Sequence, residues 1–135
     1  MNADCDAQNR WQIFDNFCFK VFTTQKTWED ARQRCEQFSS ILATIHSKEE
    51  NDFELSLLND DQKAWIGASD TTSEGNWVWL DGEDWGGFEF WRGSNQDGVE
   101  NENCLLIKDD GRWKDASCNS TRLNICKKEK YDRPP

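Results

Sequence analysis

The sequence has 135 residues, the size of one domain, and 26 acidic against 16 basic side chains give a net charge of −10. That charge repels a phosphate backbone over any broad surface and sets aside nucleic acid and anionic membranes as partners. Eight Trp and eight Phe supply large buried areas, so a folded core is expected rather than disorder.

The opening MNADCDAQNR lacks the apolar core of a signal peptide, and no apolar run approaches the roughly 18 residues that cross a bilayer. Segment 11–22, WQIFDNFCFKVF, is aromatic and short, with Asp15-Asn16 at its middle, which is the pattern of a hairpin. Thr27 followed by Asp30 reads as a helix N-cap, and Trp28, Ala31, Cys35 and Phe38, at spacings of three and four, give that helix one apolar face. Ser47 and Glu50 form a capping box in sequence, followed by Phe53, Leu55, Leu57 and Leu58, which predicts a second helix of about ten residues. Beyond residue 64, AWIGAS, NWVWLDG, NCLLIK, GRWKD and LNICKK read as strands separated by turns, with Trp65, Trp77, Trp79 and Trp113 alternating into the core. Residues 80–103, LDGEDWGGFEFWRGSNQDGVENEN, show no period. A connection of that length inside a compact domain is functional or disordered, and its aromatics favour order. The two prolines, Pro134 and Pro135, lie in the charged tail KKEKYDRPP, so the domain is expected to span 5–127 and the tail 128–135.

Six cysteines at 5, 18, 35, 104, 118 and 126 include no C-x-x-C pair, and His46 is the single histidine, which is poor material for zinc. An even set of this density points to three disulfides and an extracellular, oxidising setting, secreted or in the ectodomain of an anchored protein. Six cysteines alone leave about 15 pairings open. The missing leader then implies that Met1 is an artificial start or that an upstream anchor or stalk has been removed. Asn119-Ser120-Thr121 is a glycosylation sequon, compatible with a glycoprotein. His46, between Ile45 and the capping box, reads as a structural histidine. The acid pairs Glu49-Glu50 and Asp60-Asp61 have no nucleophile beside them and read as solvated helix ends, so no enzyme activity is expected.

Cys35 in the first helix, Trp65-Ile66-Gly67-Ala68 in a strand, Trp91 near the loop's end, and the series Cys104, Trp113-Lys114-Asp115, Cys118, Cys126 follow a recognisable order and spacing. Over roughly residues 5–127 that order resembles the C-type lectin domain family. The resemblance implies an α+β fold of two helices, antiparallel strands and a long structured loop. It also implies bridges Cys35–Cys126 and Cys104–Cys118, with Cys5–Cys18 closing the N-terminal hairpin of the family's long form.

Calcium takes about six to eight hard oxygen ligands, and residues 95–103, NQDGVENEN, with Asp115 downstream, are rich in carboxylates and amides. In lectins of this family a calcium ion bridges protein and sugar, with two vicinal hydroxyls on the metal. Alignment on Trp91 and Cys104 implies that Asn95, Asp97, Glu102 and Asp115 hold both the ion and the carbohydrate, with Trp85 or Phe88 as an aromatic face. The order Asn95 before Asp97 is the galactose-type arrangement. Asp70, Glu74, Glu102 and Asn103 would hold an auxiliary calcium, although 70–75 reads equally as a solvated turn. Two departures stand out: Gln96 replaces the family's cis proline, and Lys114 replaces an asparagine. A +1 charge about 4 Å from Ca²⁺ is repelled by roughly 8 kcal/mol at an effective dielectric of 20. Two functions follow. One is a calcium-assisted lectin module for a glycan or glycoprotein; the other is a lectin-like domain that recognises a protein or other surface through its loop without calcium.

Overall fold

The Asp15-Asn16 pair makes the expected hairpin, with Asp15 at a φ of +53°, joining β1 (Gln12–Phe14) to β2 (Phe17–Lys26). The computed structural model describes residues 5, 9–71, 76–85, 89 and 103–130. Thr27 then caps α1 (Trp28–Gln37), its Oγ1 accepting the Asp30 N–H at 3.2 Å, while Glu29 and Asp30 face the positive end of the helix dipole. Arg32 reaches both Glu29 and Glu36 at 2.5 Å on the solvent side. Trp28, Ala31 and Cys35 form the buried face, and Trp28 Nε1 donates to Ile66 O at 3.0 Å. Phe38 departs from the expected face. It sits at the C-cap, 42 % exposed, because the chain leaves the helix there and turns through Ser39 at a φ of +56°.

A short strand, β3 (Ile41–Leu42), leads to α2 (Lys48–Ser56), where Ser47 Oγ accepts the Glu50 N–H at 3.0 Å. The reciprocal half of the capping box is displaced by one residue: Glu50 Oε1 accepts the His46 N–H at 2.8 Å. The buried residues of this helix are Glu50, Asn51 and Glu54, not the leucines. Phe53, Leu57 and Leu58 are half-buried against the core, Phe53 stacking on Phe14 at 4.8 Å.

The remaining strands are β4 (Lys63–Ser69), β5 (Val78–Trp79), β6 (Cys104–Lys108), β7 (Trp113–Ala116) and β8 (Arg122–Glu129). They join one sheet in the order β1-β2-β8-β4-β6-β7, with β3 added on β8 and β5 on β4. All pairs are antiparallel except β4 with β8. β8 runs past the boundary expected at 127: Cys18 pairs with Lys128, Phe17 with Glu129, and the Lys130 N–H donates to Asn16 O at 2.7 Å. The hairpin supplies backbone partners that hold these charged residues in the sheet.

Two buried clusters flank the sheet, one around Phe19, Ile66, Leu105, Trp113 and Ile125, the other around Trp28, Leu42, Trp65 and Leu106. Trp65, Trp77, Trp79 and Trp113 are all in the core, as alternation predicts. The three disulfides are Cys5–Cys18, Cys35–Cys126 and Cys104–Cys118. The second ties α1 to β8 across a separation of 91 residues, which in the chain-entropy account restrains the unfolded state by about 4–5 kcal/mol.

Candidate functional site

The sheet gathers the base of the long loop. Ser69 at the end of β4 lies opposite Cys104 at the start of β6, and Cys104 lies opposite Ala116 at the end of β7. With strands spaced about 4.8 Å apart, these three positions make one row roughly 10 Å wide. Asp70 follows one end of that row and Asp115 precedes the other, and each is only 1 % exposed. The Asp70 N–H donates to Asn103 O at 3.0 Å, which fixes the incoming and outgoing chains side by side. The Cys104–Cys118 bridge pins the same end of β6 to the segment after β7.

The near side of the loop is anchored by tryptophans. Trp85 is half-buried and packs against Trp79, Trp113 and Trp77, with centroids at 4.9, 5.8 and 6.1 Å. The Leu80 N–H donates to Gly67 O at 2.9 Å. His46 Nε2 meets Asp81 Oδ2 at 2.6 Å, and its ring stands edge-on to Trp79 at 5.4 Å, a structural role. Burial raises the Asp81 pKa, but hydrogen bonds from His46, the Glu83 backbone and Thr44 outweigh it and hold the carboxyl below its usual range.

Of the site residues expected from sequence, the structure brings Asp70, Asn103 and Asp115 to the loop base and sets Trp85 on the tryptophan cluster. Asn95, Asp97, Glu102, Glu74, Phe88 and Gln96 lie outside the described residues. Carboxylate and amide oxygens at the loop base are the hard donors that calcium takes, so the residues present fit that ion chemically. Among the described residues no three His, Cys, Asp or Glu side chains converge as a complete metal cage. Lys114 Nζ donates to the backbone oxygen of Asp115 at 3.3 Å, so the cation lies along its own strand.

Sequence reasoning missed a second polar cluster. Lys127 on β8 is buried against Glu50, and Glu54 lies beneath them, fully enclosed. The signal was present in β8: Leu123, Ile125 and Lys127 share one face by strand alternation, so the lysine is directed inward with the two aliphatic residues.

Comparison with known proteins agrees with this geometry. The chain is 34% identical over 136 residues to Lectin BRA-3 of Megabalanus rosa, covering 97% of this chain and 83% of that protein. The chain is also 32% identical over 127 residues to the hepatic lectin of Gallus gallus, covering 92% of this chain and 61% of that protein. Among solved structures, the cow C-type carbohydrate-recognition domain of CD23, determined in the presence of a GlcNAc2Man3 oligosaccharide, superposes with a TM-score of 0.84 at 31% identity, covering 96% of this chain and 98% of that one. A calcium-independent type II antifreeze protein superposes with a TM-score of 0.83 at 27% identity, covering 88% and 91%. Such proteins bind ligands and do not catalyse reactions. With the family model for the lectin C-type domain matching residues 24–128, on top of the fold and the three bridges, this chain belongs to the C-type lectin domain family.

Proposed function

We propose that this domain is an extracellular carbohydrate-binding module in which calcium, held by the loop at 95–103 and by Asp115, grips sugar hydroxyls. The observation that carries the reading is the placement of Asp70, Asn103 and Asp115 at one end of the sheet, the two aspartates buried and Asn103 half-buried, with the strand ends around them joined through backbone and disulfide. Asn95, Asp97 and Glu102 would complete the principal site, and Glu74 and Glu102 would join Asp70 and Asn103 around an auxiliary ion. The order Asn95 then Asp97 leans to a galactose-type hydroxyl pair, because donor and acceptor positions select which pair fits. Trp85, partly exposed where the loop begins, would offer an apolar face to the sugar. Three disulfides suit an oxidising compartment, and among the described residues no helix is long and apolar enough to cross a membrane.

A second reading rests on Lys114, whose ammonium lies beside Asp115. There the same loop would meet a protein or other surface without calcium, as fits the likeness to a calcium-independent neighbour. Calorimetric titration with Ca²⁺, followed by a galactose and mannose array with and without chelator, separates the two. The first reading expects calcium heat and a chelator-sensitive glycan signal. Absence of both overturns it in favour of the second.

A further inference from the structure

Arg10, Lys20 and Arg34 line a cleft of about 660 Å³ together with Trp11, Phe22 and Thr24. Its walls come from the segment entering β1, from β2, from α1 and from the connection after α2, and none belongs to the loop at 80–103. No carboxylate lines it among the described residues, although the chain carries a net charge of −10.

The ammonium of Lys20 lies 4.8 Å from the Phe22 ring centroid and the guanidinium of Arg34 lies 5.3 Å from the same centroid. Cation–π attraction holds both charges on the ring. It also sets two cations within about one Debye length, roughly 10 Å, where they repel each other. No ion pair among the described residues involves Arg10, Lys20 or Arg34. Arg34 Nη2 donates to Thr24 O at 2.9 Å, but its Nε is shielded from water and has no acceptor among the described residues. Burial accordingly pulls the guanidinium pKa below its ordinary value. An anion in the cleft relieves both the repulsion and the uncompensated desolvation.

The aromatic surroundings narrow the kind of anion. Phe38 is 42 % exposed, its ring 5.1 Å from Phe22 and its centroid 5.8 Å from Lys20 Nζ. An exposed ring beside a cluster of cations suits a ligand with a flat C–H face and an acid group, which describes a sulfated or carboxylated sugar. An extended peptide added to β2 beyond Phe19, where its pairing with β1 ends, suits it less well, because Arg34 already occupies the Thr24 carbonyl.

We propose that this cleft is a second site, independent of calcium and of the loop, for the acid group of an anionic sugar. The test uses the full oxidised chain in a chelating buffer, titrated with a heparin-derived hexasaccharide, its desulfated counterpart and a hexaglutamate peptide. The proposal expects the sulfated sugar to bind equally with calcium or chelator. Affinity should fall by tenfold or more in Lys20→Gln and further in Lys20→Gln/Arg34→Gln, and fall again on raising salt. If the double variant fails to fold, Lys20→Gln and Arg10→Gln carry the test alone. The desulfated sugar, which keeps its uronates, shows whether a carboxylate suffices. No binding of the sulfated sugar, equal binding by the variants, or dependence on calcium overturns the proposal. So does a hexaglutamate peptide that binds as tightly and loses affinity in the same variants, which would make the occupant an acidic peptide. Failure of the calcium reading leaves these outcomes unchanged, since ligands and variants are compared in chelator and calcium is added only to check that binding does not need it.

Discussion

Lys127 Nζ on β8 lies 2.5 Å from Glu50 Oε2 on α2, with 5% of the lysine side chain and 9% of the glutamate exposed. The same ammonium donates to Thr44 Oγ1 at 2.9 Å and Thr44 O at 3.3 Å, and sits 4.3 Å from the Phe17 ring centroid. All three of its donors are engaged. The other Glu50 oxygen accepts the His46 N–H, so the pair fastens α2 to the last strand through two backbone segments.

Breaking this pair on one side only leaves a buried charge without compensation, which costs about 3–5 kcal/mol. Lys127→Met and Glu50→Leu are each expected to lower the urea midpoint of the oxidised protein strongly. Lys127→Met/Glu50→Leu removes both charges and should recover most of the loss. A double variant as unstable as the sum of the singles would show that the groups act independently.

Glu54 gives the fold a pH dependence of known sign. Its carboxyl is fully buried, and neither oxygen has a hydrogen-bond partner among the described residues. Burial pushes its pKa well above 4.5, the negative charge of Glu50 pushes the same way, and Lys127 opposes them. Below 4.5 the folded and unfolded chains both hold the proton, and stability is whole. As pH rises, the unfolded chain releases its proton first, so stability falls until the folded pKa is passed. Glu54→Gln removes this dependence. Urea midpoints of the variant relative to wild type should therefore rise between pH 4 and pH 8, and a constant difference across that range would refute the assignment. Asp81 acts in the opposite direction and lower down: its depressed pKa contributes stability above 3.8 that is lost as pH falls.

Gly67 tests the crossing of β4 and β3. A Cβ there would stand 2.2 Å from Leu42 O and 3.2 Å from Ala43 O, both backbone atoms with no rotamer to yield. The Gly67 N–H donates to Ala43 O at 2.7 Å, so a backbone hydrogen bond holds the two segments at this distance. Gly67→Ala is expected to cost about 3 kcal/mol, at the upper end for overpacking, because the sheet itself must separate. Thermal unfolding of the oxidised variant measures it, and a change below about 0.5 kcal/mol, the range of an ordinary surface substitution, would contradict the close approach.

The helix caps, the hairpin and the tryptophan alternation were legible because each is decided within a few residues. Thr27 caps because its own hydroxyl reaches Asp30, and Asp15-Asn16 turns because Asp tolerates a left-handed φ. The polar face of α2 was not legible, since its partners come from far along the chain. Asn51 Oδ1 accepts Trp113 Nε1 at 2.7 Å and its amide donates to Gly111 O at 2.8 Å, neither of which helical periodicity can announce. NWVWLDG reads as a full strand, yet among the described residues its ladder is Val78–Trp79, because pairing needs a neighbour as well as propensity. The loop-base residues Asp70, Asn103 and Asp115 were found through family resemblance, as no local pattern joins three positions on separate strand ends.

Lys114 decides how far the calcium reading extends. It precedes Asp115 in β7, at the position where the family resemblance implies a neutral asparagine, and its ammonium lies 3.3 Å from the Asp115 carbonyl. If Asp115 holds the ion, the lysine brings a positive charge into the ligand shell and removes an amide oxygen, and both effects weaken binding. Lys114→Asn restores the oxygen and deletes the charge. The variant is expected to bind Ca²⁺ at least tenfold more tightly than wild type by calorimetry, about 1.4 kcal/mol. The gain should shrink little with added salt, because a charge this close to a partly enclosed ion is poorly screened. An unchanged affinity would mean that residue 114 does not adjoin the metal and that the register carrying Asn95, Asp97 and Glu102 onto it is wrong.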